Sequence, residues 1–150
     1  MDEKVGSETV RREKLKVLVA VDASEISAMV VKRSGQFARL SNCELTVLTV
    51  IEDVVSFQNI PDTPLYKERL KKAENILEKA NATLGKYGIP CQTKLAIGPI
   101  AAEIVRIAQE GGYDIIFVGS RGLSGLKRVL LGSVAHEVLQ HAHCAVTLVR

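Results

Sequence analysis

The chain has 150 residues, of which 47% are hydrophobic and 4% aromatic, with no tryptophan. This length suits one domain with a sizeable aliphatic core. The net charge of +3 is too small to indicate nucleic acid as a partner, and no apolar run approaches the roughly 18 residues that would indicate a membrane span.

The N-terminal segment differs from the rest of the chain. Residues 1–14 are charged and lack apolar periodicity, so we predict a flexible tail there and a single domain over residues 15–150. The segment also lacks the apolar region of a signal peptide, and we therefore expect a cytoplasmic protein. Three scattered cysteines form no Cys-x-x-Cys pair, which indicates neither a zinc site nor a redox motif: Cys43, Cys91 and Cys144.

The first half of the domain alternates between strand and helix patterns. An apolar run over residues 16–21 predicts a strand that is buried on both faces and ends at Asp22. A helix follows, capped by Asp22 or Ser24, and the second strand is predicted over residues 44–51. Thr63-Pro64 marks the start of a second helix that runs to about Tyr87. The residues of the first helix predicted to face the sheet are Ile26, Met29, Val30, Phe37 and Leu40.

The second half continues the alternation. In residues 91–97 more polar and more apolar side chains alternate, with Gln92 and Lys94 on one side and Leu95 and Ile97 on the other. This alternation predicts a strand with one wetter face at the edge of a sheet. Helices are predicted after Gly98 and from about Gly132 to His141, on either side of a buried strand, and the last strand covers residues 145–149. Strands and helices in alternation predict a mainly parallel sheet with right-handed crossovers.

A glycine-rich stretch follows the buried fourth strand. Gly119, Gly122 and Gly132 are separated by two and nine residues, and Ser133 follows the last glycine. Glycine lets backbone N–H groups approach a ligand closely and permits positive φ, and the start of the next helix offers N–H donors to an anion. The stretch therefore predicts a phosphate-binding loop, although a loop that only connects a strand to a helix remains the alternative. The cations in this loop are Arg121, Lys127 and Arg128.

Several better-known motifs do not fit this stretch. It contains neither the P-loop pattern nor Gly-x-Gly-x-x-Gly. A nucleophile elbow around Ser120 would need a glycine where Val118 stands. His136-Glu137 begins the zinc motif His-Glu-x-x-His, but position 140 is a glutamine, so that motif also fails.

The glycine and serine spacing resembles the nucleotide-binding signature of the universal stress protein family. KVLVAVDASEIS at residues 16–27 resembles the family's first strand and its aspartate, and CAVTLVR at residues 144–150 resembles its last strand. The resemblance covers residues 15–150. It implies a three-layer α/β/α fold of the Rossmann-like, adenine nucleotide alpha hydrolase-like type, with a five-stranded parallel sheet in the order 3-2-1-4-5. In that order Asp22 and the glycine-rich loop meet at the topological switch point.

The resemblance also implies a ligand and the residues that hold it. The ligand is ATP, with Mg²⁺ accompanying the triphosphate. Ala20, Val21 and Asp22 are expected against the base and ribose, and Val50 beside the adenine. Asp22 as a helix cap and Ser133 as a plain N-cap remain open alternatives. The ribose and phosphates are expected to contact Val118, Gly119, Ser120, Arg121, Gly122, Leu123, Ser124, Gly132, Ser133 and Val134, with Arg121 and Lys127 at the outer phosphates.

The function that the resemblance implies is a nucleotide-dependent regulatory or stress-response module. We also expect a homodimer, because an apolar strand at residues 145–149 on a sheet edge can pair with its symmetry mate. A slow ATPase or nucleotide-transfer enzyme on the same fold is the alternative. His136 is the candidate base to examine, but no catalytic constellation is evident, so we expect at most weak ATP hydrolysis. The intact glycine spacing argues against a third reading, an interaction protein with a vestigial site.

Overall fold

The computed structural model describes residues 14–52, 63–122 and 131–150. Within these residues the chain forms five strands and four helices. In chain order they are β1 (Leu15–Ala20), α1 (Glu25–Leu40), β2 (Cys43–Glu52), α2 (Pro64–Lys86), β3 (Cys91–Gly98), α3 (Ile100–Glu110), β4 (Ile115–Gly119), α4 (Ser133–His141) and β5 (Ala145–Val149).

The five strands form one parallel sheet in the order β3-β2-β1-β4-β5. This confirms the predicted fold and strand order. The central strand β1 runs beside β2 from Leu15 to Ala20 and beside β4 from Val17 to Val19. The predicted edge strand at residues 91–97 lies at one edge as β3, and β5 lies at the other.

Helices cover both faces of the sheet because β1 is apolar on both sides. Val17 and Val19 belong to a core cluster with residues of α1 and α2, whereas Leu18 and Ala20 belong to a second cluster with residues of α3 and α4. Successive residues of a strand point to opposite faces, so one continuous apolar run supplies both cores. The result is the predicted three-layer α/β/α arrangement.

The apolar face of α1 differs from the prediction. Its buried residues are Val30, Val31, Ser34 and Gly35, whereas Leu40 is 90% exposed and Met29 is 37% exposed. The prediction for Leu40 and Met29 was therefore wrong. Gly35 is buried because α2 passes close to it: a Cβ at this position would lie 3.0 Å from Leu84 Cδ2.

The ends of the helices follow the predicted local signals. The Thr63 hydroxyl accepts a hydrogen bond from the Tyr66 N–H at 3.2 Å, with Pro64 in the first turn of α2. Gly88 follows α2 with a φ of +68°, and Gly112 follows α3 with a φ of +63°. Glycine adopts these left-handed conformations without the strain that a side chain would bring.

The predicted tail falls outside the described residues except for Lys14, so it remains a prediction. Among the helices that the structure describes, none combines the length and the apolar character that a membrane crossing requires.

Candidate functional site

A cleft lies at the carboxyl ends of β1 and β4 and has a volume of about 260 Å³. These two strands are neighbours in the centre of the sheet. The helix that follows β1 packs on one face and the helix that follows β4 on the other. The cleft is therefore at the topological switch point, where open α/β sheets bind ligands.

One half of the cleft is an apolar slot between the sheet and α3. Leu48 and Val50 point into it from one face of β2, and Ile100 and Ile104 face them from α3. Glu52 continues the same row of β2 at the rim, where its side chain is exposed. The slot thus offers two apolar walls with a carboxylate at its mouth.

Asp22 stands between β1 and α1 with its carboxylate held in place. Its Oδ1 accepts hydrogen bonds from the Ser24 N–H at 2.8 Å, from the Ser27 hydroxyl at 2.9 Å and from the Ser24 hydroxyl. Because the Ser24 hydroxyl is directed at Asp22, it makes no capping bond to α1, although Ser24 is the N-cap residue. The N-cap residue of α1 is therefore Ser24 and not Asp22, and Asp22 lines the cleft.

The three glycines of the predicted loop allow neighbouring atoms to pack closely against the backbone. They do not provide positive φ, since none of the three has φ above zero. A Cβ on Gly119 would lie 2.8 Å from Ile26 Cγ2 of α1. A Cβ on Gly132 would lie 3.2 Å from the Ser120 carbonyl oxygen and 3.3 Å from Arg121 Cα. The first glycine thus lets α1 approach β4, and the last lets the start of α4 lie against the turn after β4.

The first turn of α4 faces the cleft through Ser133, Val134 and Ala135. Its N-cap is Gly132, with no side-chain capping bond, so Ser133 is the first helical residue and not the N-cap. Gly132 donates its N–H to the Ser120 carbonyl at 2.6 Å. The leading N–H groups of a helix lack partners within the helix, so this turn presents donors and a partial positive charge to the cleft.

The structure brings eleven of the predicted site residues together on the walls of this one cleft. Ser120 is 4% exposed and lies behind the wall, where its N–H donates to the Val149 carbonyl at 2.8 Å. Leu123, Ser124 and Lys127 lie outside the described residues. The predicted residues on the wall are Ala20, Val21, Asp22, Val50, Val118, Gly119, Arg121, Gly122, Gly132, Ser133 and Val134.

Eight further wall residues were not predicted. Most look like ordinary packing residues in the sequence: Ile100 and Ile104, for example, fit the apolar stripe of α3. The exception is the Asp-x-Ser-x-x-Ser spacing of Asp22, Ser24 and Ser27, which could have indicated a carboxylate surrounded by hydroxyl donors. The missed residues are Ser24, Ile26, Ser27, Leu48, Glu52, Ile100, Ile104 and Ala135.

The charges of the cleft are divided between its two halves. Asp22 and Glu52 carry negative charge, while Arg121 and the start of α4 supply positive charge beside the glycines. Arg121 is exposed, and no carboxylate of the described chain lies within ion-pairing distance of it. Arg121 is therefore available to an anion in the cleft.

The histidines do not line the cleft. His136 lies in the first turn of α4 but is exposed and is not part of the wall, and His141 and His143 are exposed as well. Within residues 14–52, 63–122 and 131–150, no group of three His, Cys, Asp or Glu side chains is arranged to hold a metal ion. The described walls therefore present neither an imidazole nor a metal cage.

The cysteines, too, lie outside the cleft. All three are free and half-buried. Burial raises the pKa of the Cys91 thiol, and burial together with the negative charge of Asp114 raises the pKa of Cys144. Both thiols are therefore protonated near neutral pH, which makes them poor nucleophiles.

A second hollow, a groove of about 380 Å³, lies between β3 and α3. Three of its charged side chains are paired with one another, because Arg106 contacts Glu103 and Glu110 at 2.6 Å each. These carboxylates also raise the pKa of Arg106, chiefly through the hydrogen bond to Glu103. The groove has none of the three predicted glycines and no helix N-cap among its described lining residues, so the cleft is the better candidate site.

Comparison with known proteins agrees with the fold. The model of the universal stress protein family matches residues 15–150. The chain belongs to the universal stress protein family. The match confirms the family that the sequence patterns predicted.

Relatives of this universal stress protein match it along nearly their whole length. Universal stress protein YxiE of Bacillus subtilis is 37% identical over 90% of this chain and 98% of its own. The solved structure of protein MJ0577 of Methanocaldococcus jannaschii is 32% identical, covers 89% of this chain and 94% of its own, and superposes with a TM-score of 0.78. A universal stress protein solved in complex with cAMP is 30% identical, with a TM-score of 0.72 and coverage of 91% and 97%.

Proposed function

We propose that the cleft binds an adenine nucleotide, that the nucleotide is ATP with Mg²⁺, and that its binding makes the protein a regulatory module of the stress response. The observation that carries the proposal is the convergence of Asp22, the glycine turn and the start of α4 beside the apolar slot. The 30% identical relative that holds cAMP supports the same class of ligand.

The apolar slot is suited to a flat, mostly apolar base. Ligand sites are typically apolar hollows of about 300–1,000 Å³ with a few polar groups that fix orientation. The whole cleft has a volume of about 260 Å³, just below this range, and its apolar half is the slot between Val50 and Ile104. It suits the nucleoside part of the ligand, while the phosphates extend toward the glycine turn.

The glycine turn and α4 are suited to the phosphates. Gly119, Gly122 and Gly132 each bring backbone without a side chain to the cleft wall, and the first turn of α4 adds N–H donors that favour an anion. The Ser133 hydroxyl and N–H and the Arg121 guanidinium complete the positive half. In this arrangement the nucleotide lies with its base in the slot and its phosphates at α4.

Mg²⁺ enters the proposal through the triphosphate. It binds phosphate oxygens and water together with one or two carboxylates, and it does not require a cage of side chains. A cleft with no cluster of three metal-binding side chains among the described residues is compatible with that mode. When bound, Mg²⁺ supplies neutralisation of the phosphate charge.

The test is a calorimetric titration with three probes. We expect Mg-ATP to bind one per chain, and adenosine and Mg-tripolyphosphate each to bind more weakly, because each fills half of the cleft. Arg121→Ala is expected to weaken Mg-ATP about two- to fivefold, the range of an exposed ion pair, and to leave adenosine unchanged. Arg39→Ala, a matched removal of an exposed arginine at the end of α1, should change neither.

Two results would overturn the proposal. The first is a protein that gives neither heat nor thermal stabilisation with Mg-ATP. The second is equal affinity for tripolyphosphate and ATP, which would mean that the apolar slot does not receive the base.

A further inference from the structure

The hydroxyl of Ser27 donates a hydrogen bond to the carboxylate of Asp22, and the nucleotide proposal above assigns this hydroxyl no role. We propose that Ser27 is a positioning residue: it aims the free oxygen of Asp22 at a ribose hydroxyl and so makes the cleft selective for ribonucleotides. The inference rests on the proposed nucleotide binding and adds the residue that sets selectivity for the sugar.

Ser27 bridges the main chain and the side chain of Asp22. Its Oγ accepts a hydrogen bond from the Asp22 N–H at 2.8 Å and donates one to Asp22 Oδ1 at 2.9 Å. A single hydroxyl therefore ties the carboxylate to the backbone of the same residue and restricts its rotation. Ser27 lies in the first turn of α1 and is half-buried at the cleft wall, so the helix in turn fixes the hydroxyl.

The two oxygens of Asp22 have different surroundings. Oδ1 receives three donors, which are the Ser27 hydroxyl and the N–H and hydroxyl of Ser24. No donor in the described part of the chain reaches Oδ2. The position that a Cβ on Gly122 would occupy is 3.5 Å from Oδ2, so this oxygen faces a residue that has no side chain. An ionised carboxylate accepts hydrogen bonds on both oxygens, and Oδ2 is the one left for a ligand.

The ligand group that fits Oδ2 is a neutral hydroxyl donor. A phosphate would be repelled by the carboxylate charge. The apolar side chains of the slot carry no hydrogen-bond donor, so they leave Oδ2 free for a donor on the ligand. In a nucleotide the sugar hydroxyls lie between the base and the phosphates, just as Asp22 lies between the slot and the glycine turn. A ribose hydroxyl therefore matches both the chemistry and the place of Oδ2.

The experiment compares the dissociation constants of ATP and 2′,3′-dideoxy-ATP, which lacks both hydroxyls. We expect the wild-type protein to prefer ATP by about tenfold or more, the range of a hydrogen bond to a charged group. Ser27→Ala should weaken ATP about three- to tenfold and leave dideoxy-ATP nearly unchanged, so the preference falls. Ser27→Thr keeps the hydroxyl and should restore much of the preference.

Two further variants separate positioning from stability. In Asp22→Asn the amide oxygen must keep the Oδ1 place, because three donors converge there, and the NH₂ group then replaces the acceptor Oδ2. On this background Ser27→Ala should no longer change the ratio of the two affinities. Ser34→Ala removes a buried hydroxyl of the same helix, one that donates to the Val31 carbonyl, and should leave the ratio at its wild-type value.

The outcomes distinguish this inference from the function on which it rests. If the wild-type protein binds neither nucleotide, the proposed function and this inference both fail. If it binds both equally, or if a folded Ser27→Ala variant loses affinity for both by the same factor, the inference fails and nucleotide binding stands.

Discussion

At the scale of single residues, a glycine of the cleft and a glycine on the surface of a helix differ in what a side chain would disturb. A Cβ on Gly132 would meet backbone atoms of Ser120 and Arg121 at 3.2 and 3.3 Å, which is tighter than ordinary contact. A Cβ on Gly85, on the exposed side of α2, has no atom within 4 Å. The same Gly→Ala change is therefore expected to disturb the backbone packing at position 132 and to be tolerated at position 85.

Gly132→Ala is expected to push the start of α4 away from the turn after β4, because backbone atoms cannot swing aside as a side chain would. We predict a loss of ATP affinity of about tenfold, comparable to one charge-assisted hydrogen bond, measured by titration. Gly85→Ala should leave ATP affinity unchanged and raise the free energy of unfolding by up to about 1 kcal/mol, since alanine favours the helix. Unchanged affinity in Gly132→Ala would contradict the close-approach role of that glycine.

At the scale of elements, local signals predicted the helices and strands, and long-range packing decided the rest. Thr63-Pro64 marked the start of α2 because a cap and a proline act within one turn. The alternation of residues 91–97 placed β3 at an edge because an edge strand has one wetter face. The prediction that Leu40 faces the sheet was wrong because the apolar pattern of α1 does not reveal where the neighbouring sheet and α2 end.

The cleft could be predicted only in part for the same reason. Asp22 and Gly119 were identifiable because they lie at or just after the ends of strands, and Gly122 and Gly132 because they share a recognisable spacing with Gly119. Ile100 and Ile104 were missed because their apolar pattern is the same whether a helix face covers only the core or also a ligand slot. Ser27 was missed because its function depends on a side-chain contact five residues away.

At the scale of the whole molecule, the strand β5 bears on assembly. It lies at the sheet edge opposite β3 and pairs within the described chain only with β4, and Leu148 is 36% exposed. An uncovered edge strand with apolar side chains can pair with a second copy through an isologous contact. A dimer through residues 145–149 therefore remains our prediction.

Light scattering at micromolar concentration tests the dimer. We predict twice the mass of the chain for the wild-type protein and a shift toward the monomer for Leu148→Lys, because charge on an edge strand opposes pairing. Leu40→Lys, which changes the 90% exposed leucine at the end of α1, should leave the mass unchanged. A monomeric wild-type protein would contradict the prediction.

The central claim is that the cleft holds an adenine nucleotide, and the most direct measurement is the nucleotide content of the protein. The protein is purified without added nucleotide and denatured, and the released molecules are identified by chromatography and mass spectrometry. We predict about one adenine nucleotide per chain, mainly ATP, as expected of a single specific pocket. A nucleotide-free protein whose melting temperature does not rise in millimolar Mg-ATP would contradict the claim, because a ligand at 100 times its dissociation constant stabilises the folded state by about 2.7 kcal/mol.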